Sequence, residues 1–339
     1  MRAAWYSKNG KAQEVLEVGE LPDPTPGPGE VRVRLHASGV NPSDAKSRAG
    51  SRPVQSGFIV PHSDGAGVID QVGEGVAQDR IGERVWIWNG QWQRSMGTAA
   101  EYIALPSGQA VALPDWIEFD EAACLGIPAM TAFHAVELLG DLEGKTILVT
   151  GAASGVGFYA AQFAMIKGAR VLATVGSAEK AALLARIGVS DIILYKDGKV
   201  AEQIKAYTDD RGVDGVVDLD FSSTVKLVSA GAVAHHGVVV SYGSNVRDGI
   251  PFDFGAWLPR SISLHFFLVY ELRPAERAAA IKGIDALLQN GRLQHVVGAS
   301  FDLSGIVRAH QAVEAGQTVG NVVVTLPSLG SDPERGPTP

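Results

Sequence analysis

Cysteine is almost missing: Cys124 is the only one in 339 residues. An intrachain disulfide needs two, and a cysteine-based zinc cluster needs more, so both are excluded. A reducing, cytoplasmic setting is the expectation that follows. Blocks of one charge are missing too. The chain carries 29 Lys and Arg against 37 Asp and Glu, a formal net charge of −8. No run of five or six basic residues occurs, so the electrostatic footprint of a nucleic-acid binder is absent. No apolar stretch reaches the roughly 18–20 residues of a membrane-spanning helix. The opening Met1-Arg2-Ala3-Ala4-Trp5-Tyr6 lacks the apolar core of a signal peptide. Neither a membrane nor a nucleic acid is therefore an expected partner.

What is present is a globular balance, with 46% hydrophobic and 19% charged residues, which argues against disorder. At roughly 150 residues per domain the length predicts about two domains. The first 120 or so residues read as β-rich. Short runs such as Val31–Leu35, Gly67–Val72 and Arg84–Trp88 alternate with Gly and Pro turns. Leu21 to Gly29 carries proline at every second position, which removes the donors a helix or central strand needs, and reads as a turn between strands.

From about Cys124 the texture changes. Apolar runs at Thr146–Thr150, Ala169–Val175, Asp191–Tyr195, Gly215–Asp220 and Gly237–Gly243 alternate with helical patterns over Val156–Lys167 and Ala178–Ile187. Strands apolar throughout and separated by helices predict a parallel sheet covered on both faces, a doubly wound α/β domain. Ile262–Val269 reads as a sixth strand, long and apolar. One more helix (Pro274–Gln289) and strands near Val296 and Val322–Val324 follow. Ser328 to Pro339, rich in Gly, Pro and Ser, reads as a frayed tail.

The run Thr146–Thr150 leads into Gly151-Ala152-Ala153-Ser154-Gly155-Val156-Gly157 and then a helix. In that context small residues let backbone approach a pyrophosphate, and N–H groups with the helix dipole stabilise its charge. Ser154, Gly155, Val156 and Gly157 are the expected contacts. At the end of the second strand a cofactor lacking a 2′-phosphate usually meets an acidic residue. Here stand Gly176, Ser177 and, three residues on, the cation of Lys180. Glu179 is expected in the first turn of the next helix, where the dipole favours it. NADPH is therefore the expected cofactor. Tyr195, read as closing the third strand, borders the adenosine phosphate or merely caps the sheet.

Thr150-Gly151-x-x-x-Gly155-x-Gly157 together with Tyr195-x-x-x-Lys199 also matches short-chain dehydrogenases. Against that, about 150 residues precede the glycine turn, and Asp197-Gly198 is a turn signal where that family needs a helix.

A wider set of marks points elsewhere: Gly39-Val40-Asn41-Pro42-Ser43-Asp44, Pro61-His62-Ser63-Asp64-Gly65-Ala66-Gly67, Gly73-Glu74-Gly75-Val76, Gly82-Glu83-Arg84-Val85, Gly97-Thr98-Ala99-Ala100-Glu101-Tyr102 and Pro128-Ala129-Met130-Thr131-Ala132. With these the chain resembles the zinc-independent medium-chain dehydrogenase/reductases, in the NADPH:quinone oxidoreductase (zeta-crystallin-like) branch, to about Pro327. The resemblance implies a GroES-like β-rich catalytic domain (1–124 and 271–339), a Rossmann NADPH-binding domain (125–270) and an active site in the cleft between them.

Zinc-dependent relatives place a Cys where this chain has Asn41, and a His-Glu pair where it has Ser63-Asp64. With no second Cys or four-Cys lobe, no metal site is expected, and His62 stands one position before the ligand place. A hydride acceptor without a Lewis acid must spread its own charge. A quinone or conjugated carbonyl does so; a simple ketone does not.

The resemblance puts Asn41 and Asp44 at the nicotinamide end, with Asn41 as a hydrogen-bond donor. Asn41-Pro42-Ser43-Asp44 also reads as a capping turn. Ser63 is a further donor candidate. Lys46 and Ser51-Arg52 occupy places where the family often has tyrosine, so water is the expected proton source. Trp88 and Trp92 are candidates for lining a flat acceptor site, whereas Trp86 reads as core. Family carry-over adds Met130, Thr131, Phe267, Leu268 and Val269 on the nicotinamide side, Ser241, Tyr242 and Gly243 near the ribose, and Asn321 where the family often has Lys. Cys124 reads as an inert core thiol.

The expectation is an NADPH-dependent reductase of quinones or enones. The alternatives are a C=C reductase of enones or acyl-thioesters, and a non-catalytic NADPH-binding sensor or crystallin-like protein. A homodimer covering the apolar sixth strand is expected if that strand lies at the sheet edge.

Overall fold

The computed structural model describes residues 1–327 except Ser56 and Arg247; the tail Ser328 to Pro339 lies outside the described residues. The described residues divide into two compact units, residues 1–127 with 295–327, and residues 128–294. The division read from the sequence, at 124 and 271, leaves helix Pro274–Gln289 in the first unit; the structure places it in the second. The reason is packing. Gly283 of that helix lies so close to Phe133, on helix Met130–Leu138, that a Cβ would come within 2.2 Å of the ring.

The first unit is built on a seven-stranded sheet. Val297–Asp302, Asn321–Thr325, Glu30–Val40, Asp64–Val72, Arg84–Ile87 and Ala110–Ala112 lie in that order, and Tyr102–Pro106 pairs with Glu30–Val40 off this path. Pairing is antiparallel except between the first two. Glu30–Val40 alternates half-buried and buried residues and then becomes buried throughout, because its far end is covered on both faces. Val31, Val33, Leu35, Ile69, Val85, Ile87, Ile103 and Leu105 form the core. The proline-rich stretch is irregular, as its missing donors require. Gly67 is needed where strands cross tightly: a Cβ there would meet the Arg34 carbonyl at 2.0 Å.

The second unit is a six-stranded parallel sheet ordered Asp191–Leu194, Arg170–Val175, Thr146–Val149, Val213–Asp218, Val233–Ser241, Ser263–Phe266. Numbered within the unit this is 3-2-1-4-5-6, the doubly wound order of a Rossmann domain. The central strand Thr146–Val149 is buried at every residue, as a strand with helices on both faces must be. Helices Gly155–Ile166, Ala178–Arg186, Val200–Tyr207 and Phe221–Ser229 make the crossovers.

Two expectations shift at the sheet margins. The sixth strand is four residues, not eight, since the last residue of its neighbour in the ladder, Ser241, pairs with Phe266. It does form the edge. Tyr195 opens a short 3-10 turn one residue beyond its strand, and Gly198 ends that turn in the left-handed region at φ +77°. Among the described residues no helix is long and apolar enough to cross a membrane.

Candidate functional site

In the first unit, Asn41 starts helix Pro42–Lys46, with Pro42 in the first turn where its missing N–H is not needed. The Asn41 backbone N–H donates to Asp44 Oδ2 at 2.8 Å, and its side-chain Nδ2 donates to Asp64 Oδ2 at 2.7 Å. All three residues are buried. The structure thus brings Asn41 and Asp44 together in a capping arrangement and adds Asp64, to which the sequence reading assigned no role. One of the two amide hydrogens of Asn41 is committed to Asp64.

Two carboxyl groups so placed resist ionisation. Burial pushes Asp44 up to about 7, opposed by the Asn41 N–H and the charge of Arg52. Burial raises Asp64 well above the carboxylate range; the Asn41 amide opposes this and the Asp44 charge adds to it.

Ser63 is buried beside them, its carbonyl accepting from the Gly90 N–H at 2.8 Å. Trp86 is in the core. Trp88 is half-buried and donates from Nε1 to the Gly108 carbonyl at 3.2 Å. Trp92 stacks under the Arg52 guanidinium, 4.5 Å from ring centroid to Cζ. Its loop is bounded by two non-glycine residues in the left-handed region, Asn89 (φ +53°) and Gln93 (φ +57°), a strain that tends to cluster at binding sites. Asn321, carried over as a cofactor contact, belongs to this unit; it starts a strand and donates from Nδ2 to the Val296 carbonyl at 3.1 Å.

In the second unit the glycine turn has the expected form. Ser154 caps helix Gly155–Ile166 by accepting from the Gly157 N–H at 3.2 Å. Gly155 and Val156 follow as the first helical residues, whose N–H groups lie before the intrahelical ladder begins. Gly157 must lack a side chain: a Cβ would meet the Gly151 carbonyl at 2.5 Å and Ala152 Cα at 2.7 Å. This close-packed turn at a helix start fits a dinucleotide pyrophosphate.

At the next strand end Ser177 caps helix Ala178–Arg186, accepting from the Lys180 N–H at 3.3 Å. Tyr195 reaches back so that its Oη would lie 2.7 Å from a Cβ at Gly176. The structure therefore gathers Gly176, Ser177, Lys180 and Tyr195 at one corner.

Ser241, Tyr242, Gly243 and Phe267 line a cavity of about 370 Å³ with Phe221 and Phe266. Burial, then the neighbouring Asp218, raises the Tyr242 phenol, while its hydrogen bond with the Ser154 side chain opposes this. Met130 and Thr131 are buried at the start of their helix. Phe267 meets His134 edge-on at 4.8 Å, Val269 is buried, and Leu268 is 49% exposed.

A zinc ion does not fit the donor set in the first unit. Asn41 and Ser63 supply an amide and a hydroxyl. Both ring nitrogens of His62 are occupied, Nδ1 by Ser38 Oγ at 2.8 Å and Nε2 by His310 Nε2 at 3.0 Å. Cys124 is buried, and burial raises its thiol well above the usual range. Among the described residues no group of three or more His, Cys, Asp or Glu is placed to hold a metal ion.

Two protein families match in tandem: the alcohol dehydrogenase GroES-like domain over residues 27–115 and zinc-binding dehydrogenase over 155–286. The chain is 31% identical over 318 residues to the quinone oxidoreductase of Pseudomonas aeruginosa, covering 92% of this chain and 95% of that protein. Among solved structures it is similar to an NAD-dependent alcohol dehydrogenase (29% identity, TM-score 0.86, 96% of this chain and all of that one). It is also similar to a mycobacterial protein complexed with NADPH (26%, 0.86, 96% and 100%) and to an apo enoyl reductase (26%, 0.81, 96% and 99%).

Proposed function

This chain belongs to the medium-chain dehydrogenase/reductases, in the quinone oxidoreductase branch, and on that footing we propose that it is a zinc-independent reductase moving hydride from NADPH to quinones or other conjugated carbonyls. The observation that carries the reading is the donor set itself: Asn41 and Ser63, the two places that the resemblance gives to zinc ligands, offer an amide and a hydroxyl, the amide is committed to Asp64, and both ring nitrogens of His62 are taken.

When bound, the nicotinamide supplies hydride; the protein's residues supply place and polarity. The start of helix Gly155–Ile166 holds the pyrophosphate. Ser177, Lys180 and Tyr195 receive the 2′-phosphate, Lys180 as the cation. Ser241, Tyr242 and Gly243 hold the ribose side, and Met130, Thr131, Phe267, Leu268 and Val269 bound the nicotinamide. In the first unit the same reading gives Asn41, Asp44 and Ser63 to the acceptor, Trp88 and Trp92 to its walls, and Asn321 to a cofactor contact. An acceptor that gains hydride also needs one proton, which water provides. The charge left on a conjugated oxygen is delocalised, so hydrogen-bond donors stabilise it adequately.

The similarity to an enoyl reductase favours, as the second reading, reduction of C=C in enones or acyl-thioesters; product analysis, hydroquinone against saturated carbonyl, separates the two. Following nicotinamide absorbance with NADPH and NADH against a panel of both acceptor classes tests the function. NADPH-driven turnover unaffected by chelators is expected. NADH as the sole productive donor, activity restored only by a divalent metal, or NADPH binding without turnover (the mark of a sensor) would overturn it. We place the enzyme in the cytoplasm and as a homodimer. Phe266, 62% exposed on the sheet-edge strand, belongs to the surface a second copy would cover. A monomer by light scattering at micromolar concentration would count against it.

A further inference from the structure

Five polar side chains from separate stretches of the first unit meet in its interior. Arg48, His310, His62, Ser38 and Thr98 are all fully buried. Consecutive members stand at hydrogen-bond distance: Arg48 Nε to His310 Nδ1 3.4 Å, His310 Nε2 to His62 Nε2 3.0 Å, His62 Nδ1 to Ser38 Oγ 2.8 Å, and Ser38 Oγ to Thr98 Oγ1 2.7 Å. Thr98 Oγ1 then donates to the Asp64 carbonyl.

The direction of every bond follows from chemistry, and from both ends independently. At one end a guanidinium N–H can only donate. His310 must therefore accept at Nδ1 and carry its hydrogen on Nε2, which makes His62 Nε2 an acceptor and puts the His62 hydrogen on Nδ1, facing Ser38. At the other end a carbonyl can only accept. The one Thr98 hydrogen goes there, so Thr98 accepts from Ser38, and Ser38, its hydrogen spent, accepts from His62 Nδ1. The two derivations meet in one neutral, one-way chain. A proton added to either ring would set two N–H groups face to face. Burial holds His62 well below its ordinary range, and burial with the Arg48 charge holds His310 at about 3. The remaining Arg48 nitrogens bond the Gly10 carbonyl and the Glu314 carboxylate, which balances its charge.

The two ends of this chain flank the Asn41–Asp64 contact. Arg48 lies two residues past the end of the helix that Asn41 starts, and Asp64 is the residue whose carboxyl Asn41 holds. Between them His62 has φ +76°, a left-handed conformation that strains a non-glycine residue, so something must hold it there. We propose that Arg48 and His310, acting through His62, are positioning residues that lock His62–Asp64 against Asn41 and so fix the donor geometry at the acceptor end. The effect on turnover rests on the reading of Asn41 given under Proposed function; the hydrogen-bond directions do not.

The test has two arms. Histidine-selective nitrogen NMR on the unmodified protein should show His62 with its hydrogen on Nδ1 and His310 with its hydrogen on Nε2, both unchanged between about pH 5.5 and pH 8.5. The opposite tautomers, or a charged ring, would overturn the chain. In the second arm H310F should lower kcat about tenfold while the Kd for NADPH stays within about twofold, because misplacement rather than binding is at stake. H310Q, which keeps an N–H for His62 Nε2, should recover most of the loss. A folded H310F with parental kcat, or H310Q no better than H310F, would overturn the positioning role. If H310F does not fold, S38A removes a single hydroxyl from the same chain and carries the same expected loss and the same refutation. If the unmodified protein turns over no conjugated acceptor, the proposed function fails, while the NMR arm still decides the chain.

Discussion

Asp44→Asn isolates the electrostatics of the buried carboxyl pair. Asp44 titrates at about 7 in the folded protein against an ordinary 3.8. Between those values the folded state holds a proton that the unfolded chain has released. Stability therefore falls as pH rises: the contribution is fully present below the unfolded value and lost as pH passes the folded one. The whole span corresponds to on the order of 4 kcal/mol. Within a practical range, from about pH 5.5 to about pH 8, linkage gives roughly 2 kcal/mol of loss. Asparagine keeps an oxygen for the Asn41 N–H but cannot ionise. The depressed histidines His36, His62, His134, His295 and His310 act in the opposite sense, destabilising as pH falls, and they are common to both proteins. The difference between D44N and the parent therefore reports Asp44 together with its charge coupling to Asp64. Urea unfolding of both proteins at several pH values should show D44N gaining about 2 kcal/mol on the parent toward the alkaline end. A difference flat with pH, or one growing toward acid, would refute the claim that burial of Asp44 outweighs its contacts with Asn41 and Arg52.

Two further outcomes concern the second unit. Gly157→Ala sets a Cβ against backbone at 2.5 and 2.7 Å; it should cost about 1–3 kcal/mol in thermal unfolding and weaken NADPH binding in a fluorescence titration. Lys180→Ala should raise KM for NADPH about tenfold and leave KM for NADH unchanged, and equal effects on both cofactors would remove Lys180 from the 2′-phosphate site.

The parallel sheet was legible because strands covered on both faces must be apolar at every position, as in Thr146–Val149, and because glycine is required where backbone nearly touches backbone, as at Gly157. These are local constraints, written into neighbouring residues. Asn41-Pro42-Ser43-Asp44 revealed its cap for the same reason. Less was legible where a property depends on distant segments. The length of the edge strand follows from where its neighbour ends, so Ile262–Val269 looked twice as long as Ser263–Phe266. The placement of helix Pro274–Gln289 in the second unit depends on Gly283 meeting Phe133. Asp64 stood in a quoted motif, yet nothing adjacent marks it as the partner of Asn41. His62 looked solitary because its partner is 248 residues away. Composition and local pattern specify which groups can bury themselves and which can bend. The fold alone brings His310 and Arg48 to His62, since hydrogen bonds act over about 3 Å in space and carry no record of separation along the chain.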